Sequence, residues 1–429
     1  LSSEWNFLNE IAAVIDSSHQ TPTYVKSGVP MARVTDVKYG ELKLASALQV
    51  SVETFESYSR RFKAKPRDII ISRVGSYGNT SWVVDTKFCL GQNVASISPT
   101  KIDPRYLYYV LNSPLIDTQI EERVVGSTQK SLSLKAIKEL KIPRLAPDEE
   151  NAVGSFFGSL DDRITLLSET NATLEGIAQA LFRSWFVNFD PVCAKQEGRD
   201  PDGMDEATAA LFPHSFESVA GELVPKGWQK LSFTDTVQVI GGGTPKTTVD
   251  EYWNGDIPWF SVVDAPLTTD VFVIATAKKI TQSGLAKSST KVLTEGTTII
   301  SARGTVGRLA LVGCAMTMNQ SCYALRGKSN DSYFTYFSTY RLVESLKRRS
   351  HGSVFDTITT ETMRGVSVVY PEAPVIDAFE RTLAPLMNCM KTNLLQKQSL
   401  VGIRDTLLPR LISGQLRLPE AVDQIKRAA

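Results

Sequence analysis

Histidine and cysteine are scarce in this 429-residue chain, and their scarcity removes several kinds of chemistry. The three histidines, His19, His214 and His351, lie far apart, so neither a Ser-His-Asp arrangement nor a histidine metal site has a constellation to build on. The five cysteines (Cys89, Cys193, Cys314, Cys322, Cys389) are odd in number and form no C-x-x-C pair. That pattern indicates neither zinc nor a disulfide framework and fits reduced thiols in a cytoplasmic protein. No apolar run of about eighteen residues occurs, so no membrane span is expected. Leu1-Ser-Ser-Glu-Trp5 lacks a basic stretch followed by an apolar one, so no signal peptide is expected, and no Met precedes Leu1. The glycine-rich Gly241-Gly-Gly-Thr-Pro-Lys246 has neither G-x-x-x-x-G-K-[ST] nor G-x-G-x-x-G spacing and is not read as a nucleotide loop. There is no Walker A lysine, and neither Asn-Pro-Pro-Tyr nor Asp-Pro-Pro-Tyr is present to place methyl transfer. The chain reads as non-catalytic.

A strong charge of one sign is also missing, since the net formal charge is +1. The total conceals a partition. Residues 1–146 carry roughly +5 and 228–372 roughly +3, while 147–189 and 190–227 carry about −5 each and 373–429 about +3. Two modestly basic blocks are thus separated by acidic sequence.

What is abundant is helical periodicity. From Pro147, apolar residues fall at Val153, Phe156, Phe157, Leu160, Ile164, Leu167, Leu174, Ile177, Leu181 and Trp185. Steps of three and four predict one amphipathic helix over 147–189, leaning towards a coiled-coil seam. Pro147 and the acids behind it suit a helix start. At about 1.5 Å per residue this is a rod on the order of 60 Å. A second periodic segment, 373–414, runs through Ile376, Phe379, Leu383, Leu386, Met390, Leu394, Leu400, Ile403, Leu407 and Leu411. Pro385 is expected to kink or delay that helix and Pro409 to end or bend it. Residues 1–146 and 228–372 read as mixed and β-rich, 190–227 as a polar linker, and 415–429 as a C-terminal tail.

The two halves repeat at a period near 226 residues. Val153 aligns with Phe379, Leu160 with Leu386, Ile177 with Ile403 and Leu181 with Leu407. The globular blocks add independent matches: Thr21-Pro22 with Thr244-Pro245, Val29-Pro30 with Ile257-Pro258, and Val34-Thr-Asp36 with Val262-Val-Asp264. Ile70-Ile-Ser72 with Gly75 and Gly78 answers Ile299-Ile-Ser301 with Gly304 and Gly307, and Gly126-Ser127 answers Gly352-Ser353. The expected fold is α+β: two similar mixed α/β domains separated by two long helices, paired as an antiparallel coiled coil in a pseudo-two-fold tandem repeat. Two similar heads on a spacer suit duplex DNA, where half-sites recur about every 34 Å. Because the heads differ in sequence, the two half-sites should differ too. A two-headed scaffold binding protein partners through the same rod is the alternative.

Several stretches together resemble the DNA-specificity subunits of type I restriction-modification systems. They are Leu181-Phe-Arg-Ser-Trp-Phe-Val-Asn-Phe-Asp-Pro191, Val224-Pro-Lys-Gly-Trp-Gln-Lys-Leu231, Gly241-Gly-Gly-Thr-Pro245, Tyr252-Trp-Asn-Gly-Asp-Ile-Pro-Trp259 and Ser301-Ala-Arg-Gly-Thr-Val-Gly307. The first block matches more loosely, with Ser17-Ser-His-Gln-Thr-Pro22 and Arg73-Val-Gly75 in the corresponding places. The resemblance covers essentially the whole chain. It implies two target recognition domains, each reading half of a split double-stranded DNA site, and a coiled coil that sets the spacer. It also implies docking of two modification (methyltransferase) subunits, with restriction (translocase and nuclease) subunits joining that core. No cofactor is then bound by this chain; S-adenosylmethionine belongs to the modification subunits, and ATP and Mg to the restriction subunits.

Candidate DNA contacts follow from residue type. Arg303, Thr305 and Arg308 sit on a glycine-rich turn whose freed amides suit phosphate oxygens, and Arg73 and Ser76 occupy the matching turn. A plain β-turn is the alternative in each case. Arg60, Arg61 and Lys63, and Arg348 and Arg349 beside Lys347, are the densest basic clusters. Lys246 is a candidate phosphate contact. Gln129, Lys130 and His351 are candidate base readers. Tyr252-Trp253 and Trp259-Phe260 read as framework aromatics. Arg183, Trp185, Phe186 and Phe189 are candidate docking residues for a modification subunit, the alternative being packing at the helix end.

Overall fold

The computed structural model describes residues 4–18, 20–126, 130–266, 270–329, 331–349 and 357–428. The chain forms two compact units: residues 1–165 with 399–429, and residues 166–398. Each long helix contributes one part to each unit.

In the first unit a four-stranded antiparallel sheet has the order Ala12–Asp16, Val94–Pro99, Ile69–Ser72, Thr80–Trp82. Its centre, Ile69-Ile-Ile71, is buried on both faces by strict alternation. Ile69 and Ile71 join Tyr106, Leu111 and Phe157, while Ile70 joins Phe62, Val83 and Phe88. A smaller sheet pairs Tyr24–Val25, Gln49–Val50, Val29–Ala32 and Cys89–Leu90, the last two strands parallel. Strand Glu4–Phe7 pairs with Lys141–Arg144, joining the start of the domain to its end just ahead of the long helix.

The second unit repeats this plan. The strand order is Val237–Gly241, Cys322–Gly327, Thr298–Ser301, Leu309–Val312, with Phe272–Val273 added in parallel at the edge. Ile299 and Ile300 again face opposite cores. Trp253–Phe260 pairs with Lys278–Ile280 and, in parallel, with Thr317–Met318. Gln229–Ser232 closes against Ser367–Tyr370.

The first long helix runs Pro147–Arg183 and ends in a π-helical turn, Ser184–Asn188, closed by Phe189 at φ +59. The second runs Ala373–Ile412 without a break at Pro385 or Pro409, contrary to the sequence expectation. Proline deletes a donor and costs about 3 kcal/mol in a helix interior. Leu383 and Met387 beside Pro385 are wholly buried, as are Leu407, Leu408 and Leu411 around Pro409, each to within a few per cent. Burial at about 1.5–3 kcal/mol per large apolar side chain offsets the loss. The helix ends where Gly414 takes φ +71.

Within each unit the two long helices pair antiparallel. In the second unit, Asn171 donates to the Met390 carbonyl (3.1 Å) and accepts from Asn393 (3.0 Å), while Phe182, further along, packs on Phe379. In the first unit, Val153 and Phe157 share a core with Leu407, Leu411 and Ile412, and Asp161 meets Arg404.

Residues 190–227 are not the open linker their composition indicates. They form helices Asp190–Gln196 and Glu206–Ala210 and a hairpin, Phe216–Val219 with Glu222–Pro225. Val192, Phe212 and Val224 are buried in the second core, so a few well-placed apolar residues hold a polar stretch down. The tail likewise folds, as helix Leu418–Ala428 with Leu416 and Ala421 buried in the first core. Ahead of the first long helix, helices Pro104–Leu111 and Pro114–Arg123 are parted by Asn112-Ser113 ahead of Pro114.

Candidate nucleic-acid interface

Each domain gathers its loops at one end of its main sheet, and the two gatherings are built alike. Strand Ile69–Ser72 leads into a turn with Gly75 at φ +74 and Gly78 at φ +81; strand Thr298–Ser301 leads into one with Gly304 at φ +76 and Gly307 at φ +80. Only glycine takes this left-handed backbone freely. The second glycine of each turn also packs on a helix: a Cβ on Gly307 would meet Val343 at 2.9 Å. The hydroxyls of Ser72 and Ser301 donate to the carbonyls of Ser76 and Thr305, and the amides of Gly78 and Gly307 donate back to Ser72 and Ser301 at 2.9 Å.

Three further loops join each turn. The amide of Arg73 donates to the Asn93 carbonyl, and that of Ala302 to the Ser321 carbonyl, both at 2.8 Å. Next along, Gln92 donates to the Thr21 hydroxyl at 3.1 Å, and the Thr244 hydroxyl donates to Gln320. The Thr-Pro loops of the two halves are therefore tied to equivalent glutamines. Finally, 3-10 turns Val34–Asp36 and Val262–Asp264 carry their own carboxylate caps. In the second domain Asp264 lies close enough to Cys322, the partner of Ser301 across the sheet, for burial and its charge together to push that thiol up to about 12. Gln92, Gln320, Thr35 and Val263 were not singled out by residue type. The repeat itself marks them, because Gly91-Gln-Asn93 and Asn319-Gln-Ser321 recur at the same spacing as the strands beside them.

The basic residues divide by environment. Arg303 and Thr305 are exposed at the tip of the second turn, and Arg303 has no side-chain hydrogen bond or ion pair among the described residues. Arg73, its counterpart, is used inside the domain. It is ion-paired with Asp16, donates to the Leu132 carbonyl at 3.2 Å, and keeps only 16% of its side chain exposed. A guanidinium so held has little reach, which removes Arg73 as a free phosphate contact. Ser76 is exposed beside it. Arg308 is half-buried and lines a cleft of about 380 Å³ with Glu175, Gly176, Tyr340 and Lys347. Its Nε has no hydrogen-bond partner among the described residues.

Arg60, Arg61 and Lys63 are all exposed, and buried Phe62 between them pins the loop so that its neighbours point outward. Lys246 is exposed, and its carbonyl accepts from the Trp253 indole at 3.2 Å. Trp259 donates to the Gly243 carbonyl at 3.0 Å and meets Trp253 edge-on, which makes both framework. Lys130 is exposed but tethered to Tyr77 (3.3 Å) and Glu121 (3.4 Å), which raises its affinity for its proton. Arg348 is 70% exposed with a loose contact to Glu344 at 3.7 Å. Gln129, Ser127, His19, His351 and the Gly352-Ser353 pair lie outside the described residues, as does the Arg349 side chain.

The aromatic end of the first helix is mostly interior. Trp185 and Phe186 are 4% and 6% exposed and pack, mostly edge-on, against Phe212, Phe334 and Phe379 at 4.9–5.7 Å. They cannot serve as docking residues, because rings of this size hold the second core together. Phe189 is half-buried against Trp228, and Arg183 is exposed.

A doubled domain with matching loops and differing tips, each followed by a long helix, matches one family model over residues 4–176 and 225–378: the type I restriction modification DNA specificity domain. The chain belongs to this family. It is 26% identical over 381 residues to the HindI specificity subunit of Haemophilus influenzae, spanning 78% of this chain and 82% of that one. It is 25% identical over 320 residues to the MjaIX specificity subunit of Methanocaldococcus jannaschii, spanning 73% and 69%. The S subunit structure from M. genitalium aligns over 95% of this chain and 96% of that one with a TM-score of 0.57 at 15% identity, a likeness of fold. This specificity subunit therefore carries two target recognition domains in tandem, matching the two halves read from its repeat.

Proposed function

We propose that each recognition domain binds one half of a split duplex-DNA site through its loop cluster, and that the paired long helices set the spacer between the halves. The observation that carries this is the duplicated loop cluster, in which backbone and caps are the same and exposed side chains differ. One framework with different tips suits an asymmetric target. Arg303, Thr305, Lys246 and Arg348 in the second domain, and Arg60, Arg61, Lys63 and Ser76 in the first, supply phosphate contacts, and Lys130 reads a base edge. Such contacts fix position on the duplex and leave sequence to the tips.

In this reading the chain organises and does not catalyse. Modification subunits dock on the helices, restriction subunits join them, and S-adenosylmethionine, ATP and Mg are bound by those partners in the cytoplasm. Leu166 and Ile177, eleven residues apart on one helix face and 51% and 50% exposed, with Leu395 at 47% on the other helix, are apolar surface suited to such docking.

The test is DNA binding by the full chain, with the site found by mapping methylated adenines in a host carrying the system. Affinity for the split site should fall steeply with salt, with a log–log slope of about −0.9 per phosphate neutralised. Affinity indifferent to both salt and sequence refutes the proposal.

A further inference from the structure

In the 3-10 turn Val262–Asp264, Val263 stands 79% exposed, more than any other large apolar side chain among those described. Scattered apolar side chains on a surface need no explanation by themselves. This one differs in how it is held. The Asp264 carboxylate accepts from the Ser261 amide at 2.8 Å, the Ser261 hydroxyl at 2.9 Å and, across the loop, the Ala277 amide at 2.7 Å. Three donors on one carboxylate immobilise the turn, and the valine has a single stiff χ1. Little freedom remains to be lost when its methyls meet a partner.

The turn lies within the loop cluster: the amide of Asn319, beside Gln320, donates to the Phe260 carbonyl at 2.9 Å, and Phe260 and Ala265, flanking the turn, share a core with Cys322, which pairs with Ser301 at the mouth of the glycine turn. The first domain builds the same turn at Val34–Asp36. There Asp36 accepts from the Arg33 amide at 3.0 Å and from Arg33 Nε at 3.2 Å, and exposed Thr35 takes the place of Val263. One rigid mount thus carries two different tips. A framework residue would be kept alike in both, whereas a reader of different half-sites would not.

We propose that Val263 is a specificity residue of the second recognition domain and reads the 5-methyl group of a thymine in the major groove. The inference rests on the DNA-binding reading above. The thymine methyl is the one apolar feature of a base edge, and it is displayed only in the major groove. A β-branched side chain with two methyls and no polar atom fits it, and no hydrogen bond is sought or lost. Thr35 offers a methyl with a hydroxyl beside it, so the first domain can address a different edge.

The experiment uses the full chain with its modification subunits and a duplex carrying the mapped site. Each thymine of the half-site read by the second domain is replaced in turn by deoxyuridine, which removes only the methyl group. For the wild type, one replacement should weaken binding about fourfold, the value of one buried methyl, and the others should change little. Val263→Ala should bind the thymine duplex about fourfold more weakly than wild type and no longer distinguish it from the uracil duplex. Because the side chain is exposed, its thermal unfolding should be unchanged. Two results overturn the inference alone: Val263→Ala binding as tightly as wild type, or binding more weakly while still discriminating the same thymine. A wild-type complex that prefers no split site overturns the DNA reading and this inference with it.

Discussion

Replacing Arg404 by methionine should cost the first unit about 3 kcal/mol. Arg404, on the second long helix, donates to Asp161 Oδ1 on the first at 2.9 Å, with side chains 16% and 21% exposed. Asp161 Oδ2 accepts from the hydroxyls of Tyr39 (2.7 Å) and Tyr109 (2.9 Å), both from the recognition domain, and the guanidinium lies 4.9 Å over the Tyr39 ring. One carboxylate thus ties the domain to both helices. Breaking a buried pair by removing one partner costs about 3–5 kcal/mol. The lower figure applies because the two phenols still solvate the carboxylate, while the lost cation–π contact adds about 0.5–1 kcal/mol. Adding Asp161→Asn should recover much of the loss, giving a coupling of about 2 kcal/mol in the double-mutant cycle. A chain of two units need not unfold in one step, so the readout is hydrogen exchange in Ile69–Ser72 and Pro104–Leu111 under denaturant, which reports this unit by itself. A loss below about 1 kcal/mol for Arg404→Met, or a coupling below about 0.5 kcal/mol, would refute the reasoning.

Glu380 accepts from the amides of Tyr333 (2.9 Å) and Phe334 (2.7 Å) at the start of helix Ser332–Arg349, and burial pushes its carboxyl up to about 8. A folded-state affinity for the proton above the ordinary value means stability is fully present below pH 4.5 and is lost as pH rises towards 8, by on the order of 1 kcal/mol per unit. Hydrogen exchange in that helix should show the slope, and Glu380→Gln should reduce it; an equal slope in the variant discounts Glu380 as its source. The two matching arginines should separate cleanly. Arg303→Ala is expected to leave stability unchanged, weaken DNA binding and lower the salt slope by about 1. Arg73→Ala should instead remove the ion pair with Asp16 and the bond to the Leu132 carbonyl and lower the stability of the first unit by about 1–3 kcal/mol, and loss of DNA affinity with unchanged unfolding would contradict its internal role.

The fold was legible where the signal is local and periodic. Ile70-Ile-Ser72 before Gly75 and Gly78 announces a strand entering a left-handed turn, and its echo at Ile299-Ile-Ser301 announces it twice. The helix pattern from Val153 to Trp185 names the apolar face before any partner is known. Where the reading failed, non-local packing had overruled local preference. Pro385 and Pro409 argue for breaks only until the burial of Leu383, Met387 and Leu411 is weighed against the missing donors. The polar stretch 190–227 reads as linker because three anchors, Val192, Phe212 and Val224, have no common period.

The sequence names the residue types of the candidate site but not which of them the fold leaves free, and that gap has one physical cause. Arg73 and Arg303 stand at the same place in the same motif, yet one is bound inside its domain and the other faces out. The difference is Asp16, which lies 57 residues from Arg73 in sequence and opposite the turn in space. Residue type tells what a side chain can do, and only the fold tells whether it is already doing it. The same point applies to Trp185 and Phe186, whose size marks them equally for a docking surface or a core, and which the second core absorbs. It also explains why residue type alone does not mark the tips: Thr35 and Val263 carry no charge and differ between the two matched turns. They stand out only once the two turns are laid side by side and the carboxylates of Asp36 and Asp264 are found in one role. A position held by the same frame and filled by a different side chain is what the proposed reading of two different half-sites requires.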